Sequence, residues 1–185
     1  SRGLGDVYKR QGPDGVGKMR AARALAAIRL CSDPPAPDRA CGRCPSCTKL
    51  EADTHVDFTV VTTEARHIKV AEIRDVERAL RLRPMEGPRR VVIVEDAHRV
   101  TVEGQNALLK TLEEPPDSAH LILTTSRMRL LLPTVVSRCP RIPFGPTPDD
   151  VLQPLPERRD DPAPAPARLV AALSHGSLGR ATALD

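Results

Sequence analysis

Aromatic side chains are nearly missing from this chain: its 185 residues include no tryptophan, one tyrosine and two phenylalanines. Proteins that read single-stranded bases stack them on aromatic rings, so this scarcity argues against that mode of recognition. Ala, Leu, Val, Arg and Pro dominate instead, a skew that looks more like GC-rich coding than a structural demand. Long apolar runs are missing too. No stretch approaches the roughly 20 residues that a bilayer span needs, and no basic leader runs into an apolar segment and a cleavage site. A cytoplasmic protein with no membrane partner is therefore expected. A large excess of one charge is also absent, and the net +4 permits contact with a nucleic-acid backbone without requiring it.

What is present begins with GPDGVGKM, which lacks one residue of a phosphate-loop signature. Gly12, Gly15 and Gly17 allow a tight backbone turn whose N–H groups face phosphate oxygens, helped by the positive end of the following helix. Lys18 is placed to reach the outer phosphates of ATP. The next position normally offers Mg²⁺ a hydroxyl, whereas Met19 offers a soft thioether to a hard cation. The pattern predicts a site that holds phosphate and serves Mg²⁺ poorly; a Gly-rich turn opening an ordinary helix is the plainer alternative. Downstream, Met19, Ala22, Leu25, Ala26 and Leu30 recur at helical spacing. Upstream, SRGLGDVYKRQ has no apolar run of the kind a buried parallel strand needs, so residues 1–11 read as a non-native or artefactual leader.

Next comes a Pro-rich loop with Cys31, Cys41, Cys44 and Cys47. A C-x-x-C-x-x-C run lets neighbouring thiolates converge, and the fourth cysteine sits at the end of the first helix. Four soft ligands suit a closed, structural Zn²⁺ site, and in a reducing compartment metal ligation or buried thiols outrank disulfides. A redox C-x-x-C does not need four cysteines. Free buried thiols remain the bland alternative.

Residues 56–64 have strand character, and Val70, Ile73, Val76, Leu80 and Leu82 follow at mostly helical spacing, with arginines on a solvated outer face. The apolar run 91–94 then ends in Glu95 and Asp96. A buried parallel strand would deliver these carboxylates to the edge of the sheet where ligands bind, able to hold Mg²⁺ or polarise a water; an acidic turn is the alternative. A helix is predicted over 102–114, packing through Ala107, Leu108, Leu109 and Leu112 and stopped by Pro115 and Pro116. A buried strand over 121–124 ends in Thr124, Thr125 and Ser126, and Ser137-Arg138-Cys139 precedes a last short strand. Alternating β and α elements predict an α/β fold with a mainly parallel sheet. Residues 147–166 are Pro- and Asp-rich, as linkers are, and 167–185 read as a partial helical unit.

GPDGVGK, the cysteine loop, VVIVEDAH, NALLKTLEEPP, LILTTS and SRC, in this order, resemble the clamp-loader subunits of bacterial DNA polymerase III, an AAA+ family, and its delta-prime branch foremost. The resemblance implies an AAA+ P-loop domain over 12–146 with a zinc module at 31–47, and a partial lid at 167–185. It implies partners too: other subunits of a hetero-pentamer, a sliding clamp, and primer–template DNA met through the assembled complex. Residue by residue, Arg138 matches an arginine that reaches the neighbour's ATP in trans, Thr125 a γ-phosphate sensor, and Arg180 a lid arginine that touches nucleotide. Active members carry Thr or Ser where this chain has Met19, and Asp-Glu where it has Glu95-Asp96. A subunit with little ATPase of its own is therefore expected. The competing readings are an ATPase motor in which Asp96 acts on water, and a zinc-dependent nucleic-acid module using Arg39, Arg43 and Lys49. The family's collar domain has no counterpart in this sequence, so a fragment is expected.

Overall fold

The run at 91–94 is apolar at every position because each of its faces meets a different layer of helices. Val91 and Ile93 join a cluster with Ala22, Ala26, Leu30 and Leu50. Val92 and Val94 join a larger one with Ile73, Leu80, Leu108 and Leu112. Side chains alternate across a strand, so a strand covered on both faces must be apolar throughout.

The computed structural model describes residues 16–145 and the backbone of residues 7–11. Gly12, Gly15, Arg180, the linker 147–166 and the segment 167–185 lie outside the described residues. In chain order the elements are β1 (Val7–Gln11), α1 (Lys18–Leu30), α2 (Pro45–Glu51), β2 (Phe58–Val61), α3 (Val70–Arg81), β3 (Arg90–Val94), α4 (Val102–Glu113), β4 (Ala119–Thr125), α5 (Pro133–Ser137) and β5 (Arg141–Pro143), with short 3-10 turns at Ala97–Arg99 and Met128–Leu130. The strands form one five-stranded sheet in the order β2-β3-β4-β1-β5, parallel at every pairing. The expected α/β parallel architecture is present. Among the described residues no helix is long and apolar enough to cross a membrane.

The sequence did not suggest β1. VYKRQ lacks an apolar run, yet its backbone pairs with Leu121–Thr125 on one side and with Arg141–Pro143 on the other. Ladder bonds on both edges override a weak local pattern. A strand therefore precedes the GPDGVGKM segment in the chain. The sequence reading also missed α2, where Pro45 stands at the first helical position and the Cys44 sulfur accepts from the Cys47 N–H.

Helix α1 lays Ala22 and Ala26, both fully buried, against the sheet, and their small size brings the helix close. Helix α4 buries Leu108 and Leu112 as expected, but also Gln105 and Thr111. Gln105 is satisfied on every side: Nε2 donates to the carbonyls of Val100 (3.0 Å) and Leu130 (3.3 Å), and Oε1 accepts from the Leu132 N–H (2.7 Å). It ties α4 to the segment leading into α5. Gly104 sits where a Cβ would lie 2.7 Å from the Val100 side chain, so the start of α4 cannot carry a larger residue at this contact.

At the amino edge of the sheet, Asp57 is fully buried and accepts N–H bonds from Met85, Glu86 and Gly87 (2.8–3.1 Å) and a charged one from Arg90 (2.8 Å). Burial alone would raise its pKa; those N–H groups and the Arg90 guanidinium outweigh it and hold the carboxyl below its usual value. A depressed folded-state pKa stabilises the fold above the ordinary carboxylate range, and that stabilisation is lost as pH falls through the depressed value. Two outcomes are expected. Asp57→Ala should lower stability by about 3–5 kcal/mol, because Arg90 is left buried and unpaired. The stability of the wild type to urea should fall more steeply than that of Asp57→Asn as pH is lowered through and below the ordinary carboxylate range.

Candidate nucleotide and metal sites

Cys31 caps the C-terminus of α1, and Cys44 and Cys47 bracket the start of α2. The sulfurs of Cys31, Cys41, Cys44 and Cys47 all lie within 4.8 Å of one another, with Cys31 and Cys44 at 3.9 Å. Tetrahedral Zn²⁺ with bonds of about 2.3 Å places its sulfurs roughly 3.8 Å apart, so the donor set and its span fit such an ion. Backbone N–H groups already point at the sulfurs: Cys41 N to Cys31 Sγ at 3.4 Å and Cys44 N to Cys41 Sγ at 3.3 Å. At Cys44, burial opposes the thiolate, but the N–H groups of Cys47 and Ser32 and the nearby thiols prevail, and its pKa falls to about 6. Cys47 is pushed up to about 12, by burial first and then by the thiol of Cys44. The Cys47 thiol thus stays protonated beside Cys44 and Cys31, a state that a coordinated divalent cation would reverse. Lys49, offered by the sequence as a nucleic-acid contact, is held by Glu86 at 2.7 Å; Arg39 and Arg43 are exposed.

At the other end of α1, Gly17 adopts φ 86°, a left-handed conformation that suits glycine, and caps the helix. Lys18 follows and is buried. Met19 is half-buried and packs on the apolar cluster between α1 and the sheet. The position that would carry a hydroxyl is spent on packing.

The register of the sheet gathers the remaining candidates at its carboxyl edge. Gln11, the last residue of β1, pairs with Thr125, and Val94, just before the acids, pairs with Leu123. Asp96 takes φ 48° and donates its N–H to Thr124 Oγ1 (3.2 Å). Thr125 is fully buried; its hydroxyl meets His98 Nδ1 at 3.2 Å and accepts from the Arg127 N–H at 3.1 Å. The same His98 nitrogen lies 3.9 Å from Asp96 Oδ1. His98, which the sequence reading passed over, thus stands between the acid and the threonine. Its only signal was its place in EDAH. A cleft of about 410 Å³ opens beside them, lined by Arg66, His67, Asp96, His98, Arg99 and Arg127 among others.

Arg138 is elsewhere. It ends α5 and precedes β5, so in a parallel sheet it belongs to the amino edge, away from Asp96 and Thr125. Its guanidinium is a third exposed, paired with Glu113 of α4 at 2.6 Å and donating to the Thr134 carbonyl at 2.9 Å. The structure therefore brings together Gly17, Lys18 and Met19 at one helix start and Glu95, Asp96 and Thr125 at the carboxyl edge, and leaves Arg138 out.

Residues 4–148 match the family model described as "DNA polymerase III, delta subunit". The delta-prime subunit of DNA polymerase III from Pseudomonas aeruginosa is 40% identical over 135 residues, 72% of this chain and 41% of its own length. The Bacillus subtilis delta-prime subunit is 32% identical over 174 residues, 93% of this chain and 51% of its own. The chain thus spans about half, or less, of the length of these relatives. Among solved structures, a gamma subunit-related protein of DNA polymerase III from Thermotoga maritima superposes with a TM-score of 0.63 at 27% identity, covering 81% of this chain and 45% of its own. The RuvB Holliday junction branch migration motor of the same organism gives 0.57 at 18% identity over 96% of this chain and 52% of its own, a likeness of fold alone.

Titrating the reduced, metal-free protein with Co²⁺ should saturate at one ion per chain, with the visible absorption of a tetrahedral thiolate site, displaced by Zn²⁺. Cys44→Ser should abolish that spectrum. If the parent shows none, the cysteines are not a metal site.

Proposed function

The chain belongs to the delta-prime family of DNA polymerase III clamp-loader subunits, and on that footing we propose that it helps load a sliding clamp on primed DNA by lending Arg138 to a neighbouring subunit's ATP site. The observation that carries this reading is the placement of Arg138. An exposed guanidinium at the amino edge of the sheet lies at the opposite end of the strands from Asp96 and Thr125. The part of its fork not taken by Glu113 and Thr134 can meet another molecule, where a guanidinium neutralises charge developing on a transferred phosphoryl group. Its partners on this reading are the other subunits of a hetero-pentamer, with clamp and DNA engaged through the whole.

The chain's own site has the features of a nucleotide cradle without those of an engine. On this reading Gly17, with its left-handed turn, and the buried Lys18 face phosphate, and the buried Thr125 acts as the γ-phosphate sensor. Met19 is packed and offers Mg²⁺ no oxygen. Asp96 is the second of the two acids, on a left-handed turn. On this reading ATP binds weakly if at all and is not turned over, and Arg180 is a lid contact to that nucleotide. Zn²⁺ on Cys31, Cys41, Cys44 and Cys47 supplies only structure, closing the 31–47 loop onto α1 and α2.

Arg138→Ala should leave the denaturation midpoint nearly unchanged, since an exposed ion pair contributes about 0–1 kcal/mol. In the reconstituted clamp loader it should lower ATP turnover at the site it faces by roughly 10³–10⁵-fold. Undiminished turnover would refute the role. The chain alone should show no Mg²⁺-dependent hydrolysis; activity that Lys18→Ala abolishes would instead make it a motor subunit, with Asp96 acting on water.

A further inference from the structure

We infer that Glu113 is a positioning residue for Arg138, holding one edge of the guanidinium so that its remaining donors are presented to the neighbour's phosphates; this rests on the trans-arginine reading above. Arg138 follows a helix of only five residues and is itself a long, exposed side chain. Nothing in α5 fixes its guanidinium beyond the Thr134 carbonyl and a 3.5 Å approach to Ser137 Oγ, both met by Nη1. Glu113 takes Nη2 at 2.6 Å. A guanidinium carries five N–H donors in a planar fork, so fixing these two nitrogens fixes the direction of Nε and of the second Nη2 hydrogen.

Both side chains are partly exposed, and what distinguishes Glu113 is the packed helix that carries it. Glu113 is the last residue of α4, whose final turn is closed by the Glu114 N–H to the Lys110 carbonyl (3.0 Å) and stopped by Pro115 and Pro116. The same helix is locked by buried Leu108 and Leu112 and by the Gln105 bonds to the segment entering α5. Glu113 and Arg138 thus belong to two elements whose relation is already set. A group held by a packed element directs a mobile one at small entropic loss, and presentation in one orientation is what a transition-state contact requires. Asp and Glu neighbours that merely solvate an arginine do not share a fixed frame with it.

The test is steady-state ATP turnover by the reconstituted clamp loader with clamp and primed DNA, at subunit concentrations that saturate assembly. Glu113→Ala should lower kcat roughly ten- to a hundredfold with KM for ATP unchanged. Glu113→Gln, which keeps an acceptor but not the charge, should fall between it and the parent. In an Arg138→Ala background, Glu113→Ala should add nothing. Parental kcat for Glu113→Ala, alongside a collapsed Arg138→Ala, overturns the positioning role and spares the trans arginine. Parental kcat for Arg138→Ala overturns both. A loss in Glu113→Ala that persists in the Arg138→Ala background, or that disappears when subunit concentration is raised, assigns Glu113 to folding or assembly and also overturns the inference.

Discussion

Burial of the central strands on both faces governs what the rest of this molecule can do. Strands β3 and β4 carry Val91 to Val94 and Leu121 to Leu123 into two separate apolar layers, and nearly all of these side chains are fully shielded. Each such residue stabilises the fold by about 1.5–3 kcal/mol relative to exposure, and none of them can offer a polar group to a ligand. Chemistry is thereby confined to the two ends of the strands. At the carboxyl end the chain changes character abruptly to Glu95, Asp96, Thr125 and Ser126; at the amino end it places Asp57, Arg90 and, beyond α5, Arg138.

Several of the polar groups in or near the interior hold a boundary between elements. Gln105 joins α4 to the approach to α5. Thr111 reaches Glu77 across the α3–α4 contact at 3.1 Å. Asp57 gathers the 85–87 turn onto the start of β2 and β3, and Lys49, reaching Glu86, extends that bracket to the cysteine module. A buried polar group left without partners is costly, so these bonds fix how elements sit as well as whether they fold.

Periodicity made the large elements legible. Ala22, Ala26 and Leu30 in α1, Ile73, Val76 and Leu80 in α3, and the unbroken valines of β3 are buried as their spacing predicts. The strand β1 was not legible, because its residues carry no apolar signal and its place comes from the ladders on either side. Short α2 and α5 begin at prolines and hold too few residues to show a period. The cysteine cluster was readable from spacing alone, since C-x-x-C-x-x-C restricts where the sulfurs can go. His98, Gln105 and Glu113 were not: each acts through a partner 25 or more residues away, at Thr125, Leu130 and Arg138. A linear pattern does not encode such pairs.

The separation of Arg138 from Lys18 along the strand direction also gives the subunit a polarity. One edge of the sheet carries the start of the phosphate-loop helix and the other carries the exposed guanidinium. A contact that brings the second edge of one subunit to the first edge of the next uses two different surfaces, so it cannot close as a twofold pair and must repeat head to tail. Such a row has two unlike ends. On the proposal that Arg138 is given in trans and that the chain's own site is idle, this subunit is suited to one of them, where a giver is needed and a taker is not.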